Sequence, residues 1–134
     1  MKILLDTNII IHRESNRVIR QEIGTLFYWL DRLNYKKCIH PLSVTELKKY
    51  QDASLVATIE AKIKNYHELK TESPETPEIQ QIRAKYDHKS SSSIDTSLLK
   101  EVYSGRIDIL ITEDRQIHKK AFELGIATKV FTID

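Results

Sequence analysis

The sequence of 134 residues contains little cysteine, glycine and proline: one, three and three residues, respectively. A single cysteine, Cys38, forms no internal disulfide and cannot build a thiolate metal site. The lack of disulfides suits a reducing compartment, so we expect a cytoplasmic protein in which Cys38 is a small buried apolar residue. Glycine occurs only at Gly24, Gly105 and Gly125. No glycine-rich phosphate loop can therefore form, which argues against the nucleotide-binding folds.

Long hydrophobic runs and an excess of one charge are also missing. No segment approaches the roughly 20 consecutive apolar residues that cross a bilayer, so we expect no membrane partner. The net charge is only +2, so any basic surface for nucleic acid must be local. The five histidines are scattered without the paired spacing of a zinc site: His12, His40, His67, His88 and His118. The length suits one domain with a real core and is too short for two.

Short apolar runs alternate with amphipathic segments along the chain. We predict strands at residues 2–5, 38–40, 107–111 and 129–133, and helices at residues 19–33, 53–69, 93–105 and 112–124. A shorter helix is predicted at residues 78–86, and residues 87–93 are expected to form a mobile polar segment. Strands that alternate with helices predict an α/β fold with a parallel sheet covered on both faces.

The first eight residues are the most informative part of the sequence. A buried apolar run ends abruptly at Asp6, followed by Thr7 and Asn8. Open parallel sheets bind their ligands at the carboxyl ends of the strands, which is where Asp6 is predicted to lie. A single acid before a helix is also a common N-cap, so Asp6 taken alone is equally consistent with a structural role.

Three further acids lie where helices are predicted to begin. Glu46 follows the second strand, but with Ser43 it also fits a capping box, in which both side chains cap the helix start. Asp95 is predicted in the first helical turn after Ser93, where a negative charge suits the helix dipole. Asp114 is predicted in the first turn of the last long helix, with Thr112 as that helix's cap.

The joint pattern of acids favours a metal site. If the strand ends share one edge, Asp6, Glu46 and Asp114 converge there, and Asp95 joins them. Carboxylates that lie close together repel and raise one another's pKa, and a divalent cation removes that penalty. Oxygen ligands favour Mg²⁺ or Mn²⁺ over zinc, and helix N-termini attract phosphate. These features indicate phosphodiester hydrolysis.

Three segments resemble motifs of the PIN-domain family of metal-dependent ribonucleases. Residues 4–8 (LLDTN) are similar to the family's opening motif, residues 41–47 (PLSVTEL) to its second, and residues 110–114 (LITED) to its last. Asp95 fits the family's third acid, which lies on a helix. The resemblance spans the whole chain and implies a three-layer α/β/α sandwich with a parallel sheet of four or five strands.

The resemblance also implies roles for individual residues. Asp6, Glu46, Asp95 and Asp114 would hold one or two Mg²⁺ or Mn²⁺ ions and carry the catalysis. Asn8 and Thr112 would support the site, and Glu113 could replace or supplement Asp114. Lys48, Lys49 and Arg115 could contact substrate phosphates, although exposed lysines usually only solvate a helix. The implied activity is that of an endoribonuclease acting on single-stranded RNA.

Two other functions compete with this hypothesis. A non-catalytic PIN-like module would bind RNA or a protein, but the presence of all four acids argues against it. The hypothesis of a phosphatase of the haloacid dehalogenase type is weakened because no second aspartate lies two residues after Asp6.

The expected partners are an RNA substrate and either an inhibitory protein, a C-terminal domain or a second copy of the chain. The last expectation is that residues 1–134 form the N-terminal domain of a longer protein.

Overall fold

The computed structural model describes residues 1–14, 21–49 and 53–133. It contains five strands, β1 (Lys2–Leu5), β2 (Lys36–Ile39), β3 (His67–Glu68), β4 (Ile109–Ile111) and β5 (Val130–Phe131). Its α-helices are α1 (Thr7–Glu14), α2 (Gln21–Arg32), α3 (Pro41–Lys48), α4 (Ala53–Lys62), α5 (Pro77–Tyr86), α6 (Ser90–Tyr103) and α7 (Arg115–Glu123). Two 3-10 helices lie at Ile63–Asn65 and Ala127–Lys129.

All five strands form one parallel sheet in the order β3-β2-β1-β4-β5. The central strand β1 is buried on both faces, because its side chains alternate between two cores. Ile3 and Leu5 pack in the core beneath α1, α2 and α3, whereas Leu4 packs in the core beneath α6 and α7. The predicted three-layer α/β/α sandwich with a parallel sheet of four or five strands is therefore confirmed, and the sheet has five strands.

The strand register fixes what lies at the carboxyl edge. Leu5 of β1 pairs with Ile111 of β4, and Leu4 pairs with Cys38 of β2. The residues that follow these three strands, Asp6, His40 and Thr112, therefore lie side by side. The amide of Asp6 donates to the Ile111 carbonyl at 3.1 Å, which extends the ladder up to the acid. Cys38 is fully buried, as expected.

Several element boundaries differ from the predictions. The predicted helix at residues 53–69 ends at Lys62, and its last residues instead form a 3-10 turn and β3. Edge strand β3 is only two residues long, so its local sequence carries no alternation that would reveal it. The segment predicted to be mobile belongs to α6 from Ser90 onwards. Ile19, where a helix was predicted to begin, lies outside the described residues.

A glycine, Gly125, terminates the last long helix. Gly125 follows α7 with φ of 76°, a conformation that residues with a side chain rarely adopt. The amide of Ile126 then donates to the Ala121 carbonyl at 2.9 Å and ends the helix. Among the described helices, none has the length and apolar character needed to cross a membrane.

Candidate active site

Asp6 is the buried centre of the carboxyl edge, with only 4% of its surface exposed. One carboxylate oxygen accepts from the Thr7 amide at 2.7 Å, and the other accepts from the Thr112 hydroxyl, also at 2.7 Å. These hydrogen bonds favour the charged form. Burial outweighs them and, with smaller contributions from Asp114 and Glu46, raises the pKa of Asp6 to about 6.

Thr112 joins Asp6 to the start of α7. Its hydroxyl donates to Asp6 and accepts from the Asp114 amide at 3.0 Å. Asp114 is the N-cap of α7, and its carboxylate accepts from the Gln116 amide at 2.8 Å. The prediction that Thr112 caps this helix is therefore wrong, because α7 begins at Arg115. Thr112 instead makes the contact with Asp6 that a supporting role requires.

Glu46 does not take part in a capping box. Helix α3 begins at Pro41, and its N-cap is His40, whose Nδ1 accepts from the Leu42 amide at 3.1 Å. Proline favours the first position of a helix, so the start lies two residues before Ser43. Glu46 thus lies near the end of α3 and is half-buried. The capping box therefore does not explain why a glutamate lies at position 46.

Asp95 likewise loses its simplest structural explanation. Helix α6 begins at Ser90 rather than Ser93, so Asp95 lies in the second turn, beyond the part of the helix where the dipole acts most strongly. Its side chain is half-buried. Burial, followed by the charges of Asp6, Asp114 and Glu46, raises the pKa of Asp95 to about 8, whereas Lys120 opposes the rise.

These mutual effects show that the fold brings the four acids close enough to repel. They come from four separate segments: the end of β1, helix α3, helix α6 and the loop after β4. A cluster of partly buried carboxylates costs stability in the absence of a cation. Such a cost is typical of functional sites, where the arrangement serves binding or catalysis.

The chemistry of the acidic side chains suits a metal ion better than their arrangement does. Carboxylate oxygens are the ligands of hard divalent cations, and the Thr7 hydroxyl beside Asp6 is buried without a hydrogen-bond partner. However, within residues 1–14, 21–49 and 53–133, no three histidine, cysteine, aspartate or glutamate side chains are arranged to hold one metal ion. Both oxygens of Asp6 and one of Asp114 accept hydrogen bonds inside the chain, and each of these oxygens keeps a second lone pair.

Asn8 and Glu113 are the remaining predicted site residues. Asn8 is exposed on α1. One carboxylate oxygen of Glu113 accepts from the Ile133 amide at 3.2 Å, which ties the segment after β5 to the loop after β4. The roles of Asn8 and Glu113 in the site stay predictions. His118, which was not a predicted site residue, is half-buried, and its Nε2 lies 3.0 Å from the Thr112 carbonyl oxygen.

Sequence reasoning missed Lys120, which is 1% exposed. Its ammonium donates to Asp87, to the Ser92 carbonyl and to the Thr96 hydroxyl, each at 3.0 Å. These bonds hold the first turns of α6, which carry Asp95, against α7. A signal was present, since Lys120 lies three residues after the buried Ile117 on the apolar face of its helix.

No protein-family model and no curated protein matches the sequence. Among solved structures, the chain is similar to one in the crystal structure of FitAcB from Neisseria gonorrhoeae, with a TM-score of 0.58 and 14% sequence identity. The match covers 98% of this chain and 97% of that chain. At this identity the similarity concerns the fold alone, which is PIN-like over its whole length.

The raised pKa of Asp95 predicts an unusual dependence of stability on pH in metal-free protein. The folded state keeps the proton of Asp95 up to about pH 8, whereas the unfolded state releases it near the ordinary value of 3.8. The unfolded state therefore binds fewer protons between these values, and stability falls as pH rises through this window. In EDTA, Asp95→Asn is expected to raise Tm by about 5 °C at pH 8 and by little at pH 4.

Thermal melts of both proteins across this pH range measure the effect. Asp31→Asn is the matched control, because Asp31 is exposed on α2 and pairs with Lys37. A Tm difference between wild type and Asp95→Asn that does not change with pH would contradict the electrostatic origin.

Proposed function

We propose that this protein is a metal-dependent endoribonuclease that hydrolyses phosphodiester bonds of single-stranded RNA. The observation that carries the proposal is the convergence of Asp6, Glu46, Asp95 and Asp114 at the carboxyl edge of a PIN-like sheet. Parallel α/β sheets bind ligands at this edge, and the four acids have no common structural explanation. The choice of RNA as substrate rests on the resemblance of residues 4–8, 41–47 and 110–114 to PIN-domain ribonucleases.

In this proposal, Asp6, Asp95 and Asp114 are the principal metal ligands, and Glu46 binds the metal or orients a bound water. When bound, one or two Mg²⁺ or Mn²⁺ ions would lower the pKa of a water molecule and neutralise charge on the phosphate. Thr112 fixes the orientation of Asp6 through its hydroxyl. Lys120 holds the segment of α6 from which Asp95 projects and partly offsets the negative charge.

The second candidate is a non-catalytic module that binds RNA or a protein. It is favoured by one observation, that no three acids of the described chain are arranged to hold a metal ion. Two parallel assays separate the candidates. The first measures cleavage of a labelled single-stranded RNA with Mn²⁺ and with EDTA, and the second measures hydrolysis of a small phosphomonoester. Chelator-sensitive cleavage of RNA alone supports the nuclease. RNA binding without cleavage supports the module, and turnover of the phosphomonoester supports a phosphatase.

Glu46 gives a sharper test, because α3 is capped by His40 and not by the Ser43–Glu46 pair. Glu46→Gln is therefore expected to leave Tm within about 2 °C of wild type. Cleavage should fall by roughly 10- to 100-fold, since glutamine keeps the shape but loses the charge that a metal or its water requires. Rates with Mn²⁺ and thermal melts in EDTA provide the two readouts.

The control is Glu60→Gln, on the exposed side of α4. Full activity of Glu46→Gln would remove Glu46 from the site. A large loss of Tm would instead give this residue a structural role that its position near the end of α3 does not indicate.

A further inference from the structure

A second feature of the molecule is a basic cavity beside the acids. It has a volume of about 390 Å³ and lies between the end of α5 and the starts of α6 and α7. Two of its lining residues are also tied to the acidic site. The Gln116 amide donates to Asp114, and the ammonium of Lys120 binds Thr96, the residue after Asp95. The start of α7 and the first turns of α6 therefore contribute residues to both the cavity and the acidic site.

Cationic groups surround one aromatic ring at this cavity. The ammonium groups of Lys85, Lys119 and Lys120 lie 5.3, 5.6 and 5.9 Å from the centre of the Tyr86 ring. Two further residues of the lining, His88 and Lys89, are exposed. Four lysines are thus gathered in a chain whose net charge is only +2. This is the local basic surface that the composition requires of a nucleic-acid binder.

Nearby carboxylates neutralise only half of these lysines. Glu123 pairs with Lys85 at 2.6 Å, and Asp87 pairs with Lys120 at 3.0 Å. Asp87 is also shared with Arg83 at 3.3 Å, and Arg83 in turn pairs with Glu75 at 2.8 Å. Lys89 and Lys119 form no ion pair with any residue of the described ranges, and both are exposed. The cavity therefore has the exposed Lys89 in its lining, the exposed Lys119 near the Tyr86 ring with only the charge of Glu123 acting on it, and the buried Lys120 in its wall.

We propose that this basic cavity binds a backbone phosphate of single-stranded RNA, at a position along the strand away from the bond that is cleaved. The proposal rests on the function proposed above and adds the path of the substrate: from the acidic edge, across the start of α7, towards the end of α5. Lysines of this kind contact phosphates as point charges and carry no sequence information. The cavity would therefore position the strand at the acids without selecting a base sequence.

The test measures binding without cleavage. Anisotropy of a fluorescently labelled single-stranded oligoribonucleotide is titrated with protein in EDTA, so neither metal nor catalysis is needed. The double variant Lys89→Ala/Lys119→Ala is compared with Lys64→Ala/Lys70→Ala, which removes the same charge from exposed lysines flanking β3 at the opposite edge of the sheet. Thermal melts check that both variants are folded.

Loss of this phosphate contact should raise Kd by about tenfold at physiological salt and lower the slope of log Kd against log salt by about 0.7. The control variant should change Kd by less than about twofold, since its lysines are distant from the strand. Equal Kd values for the cavity variant and wild type, or equal weakening by both double variants, would overturn the proposal.

Two competitors identify the ligand. Inorganic phosphate at equal phosphate concentration is expected to leave the complex intact, because a strand makes several contacts at once. Displacement by free phosphate at that concentration would assign the cavity to a small anion. Polyglutamate of matched charge should also fail to displace RNA, and efficient displacement would assign the cavity to an acidic protein segment. Either displacement overturns the RNA assignment.

The outcomes also distinguish this proposal from the proposed function. If the cavity variant loses RNA binding but wild type never cleaves with Mn²⁺, the cavity stands and the nuclease fails. If wild type cleaves while the cavity variant binds and cleaves equally well, the nuclease stands and the cavity fails. Asp6→Asn is expected to bind RNA in EDTA no more weakly than wild type, because it removes a negative charge near the strand.

Discussion

Asparagine at position 6 is expected to lower the rate of RNA cleavage by at least about 100-fold. The substitution keeps the shape of the side chain and can still accept from the Thr7 amide, but it removes the negative charge at the most buried position of the site. When the charge of a metal ligand in such a position is removed, the site loses most of its affinity for the metal ion. Cleavage of labelled RNA with Mn²⁺ and calorimetric titration of Mn²⁺ into both proteins provide the measurements.

The same variant should be at least as stable as wild type in EDTA. Because burial raises the pKa of Asp6 to about 6, its charged form is disfavoured in the folded state, and asparagine removes that penalty at neutral pH. Asp108→Asn, at an exposed position in the turn before β4, is the matched control. Equal Mn²⁺ binding and cleavage by Asp6→Asn would refute its role as a ligand, and a large loss of Tm would favour a structural role.

Replacement of Lys120 by methionine is expected to destabilise the fold by about 3 kcal/mol, or a fall in Tm of roughly 10 °C. Methionine matches the length of the side chain but leaves Asp87 without the ammonium that lies 3.0 Å from it. Arg83 remains near Asp87, which limits the loss. The Ser92 carbonyl and Thr96 hydroxyl lose a donor as well, so the start of α6 loses its attachment to α7.

The neighbouring residue provides a close control. Lys119→Met alters an exposed lysine on the same helix and should change the free energy of unfolding by less than about 0.5 kcal/mol. The double variant Lys120→Met/Asp87→Asn should recover part of the lost stability, because the unpaired buried charge is gone. Equal melting temperatures for Lys120→Met and Lys119→Met would show that the buried network contributes little.

The sequence by itself determined the layer order of the fold and the location of the acids. Short apolar runs bounded by polar residues, alternating with helical periodicity, leave few alternatives to a parallel sheet between two helix layers. Parallel strands then place their carboxyl ends at one edge, so Asp6, Glu46 and Asp114 could be assigned to that edge without coordinates. Gly125 could also be assigned as the end of α7, because helices commonly end at a residue in the left-handed backbone conformation that favours glycine.

Only the tertiary structure decided what each of these residues contacts. The capping roles of His40 and Asp114 depend on the first residue of each helix, and sequence patterns do not fix that residue to within one position. Strand β3 exists because the edge of β2 pairs with it, and the Lys120–Asp87 pair joins residues 33 positions apart. Burial of a charge depends on such distant contacts, and so do the raised pKa values of Asp6 and Asp95.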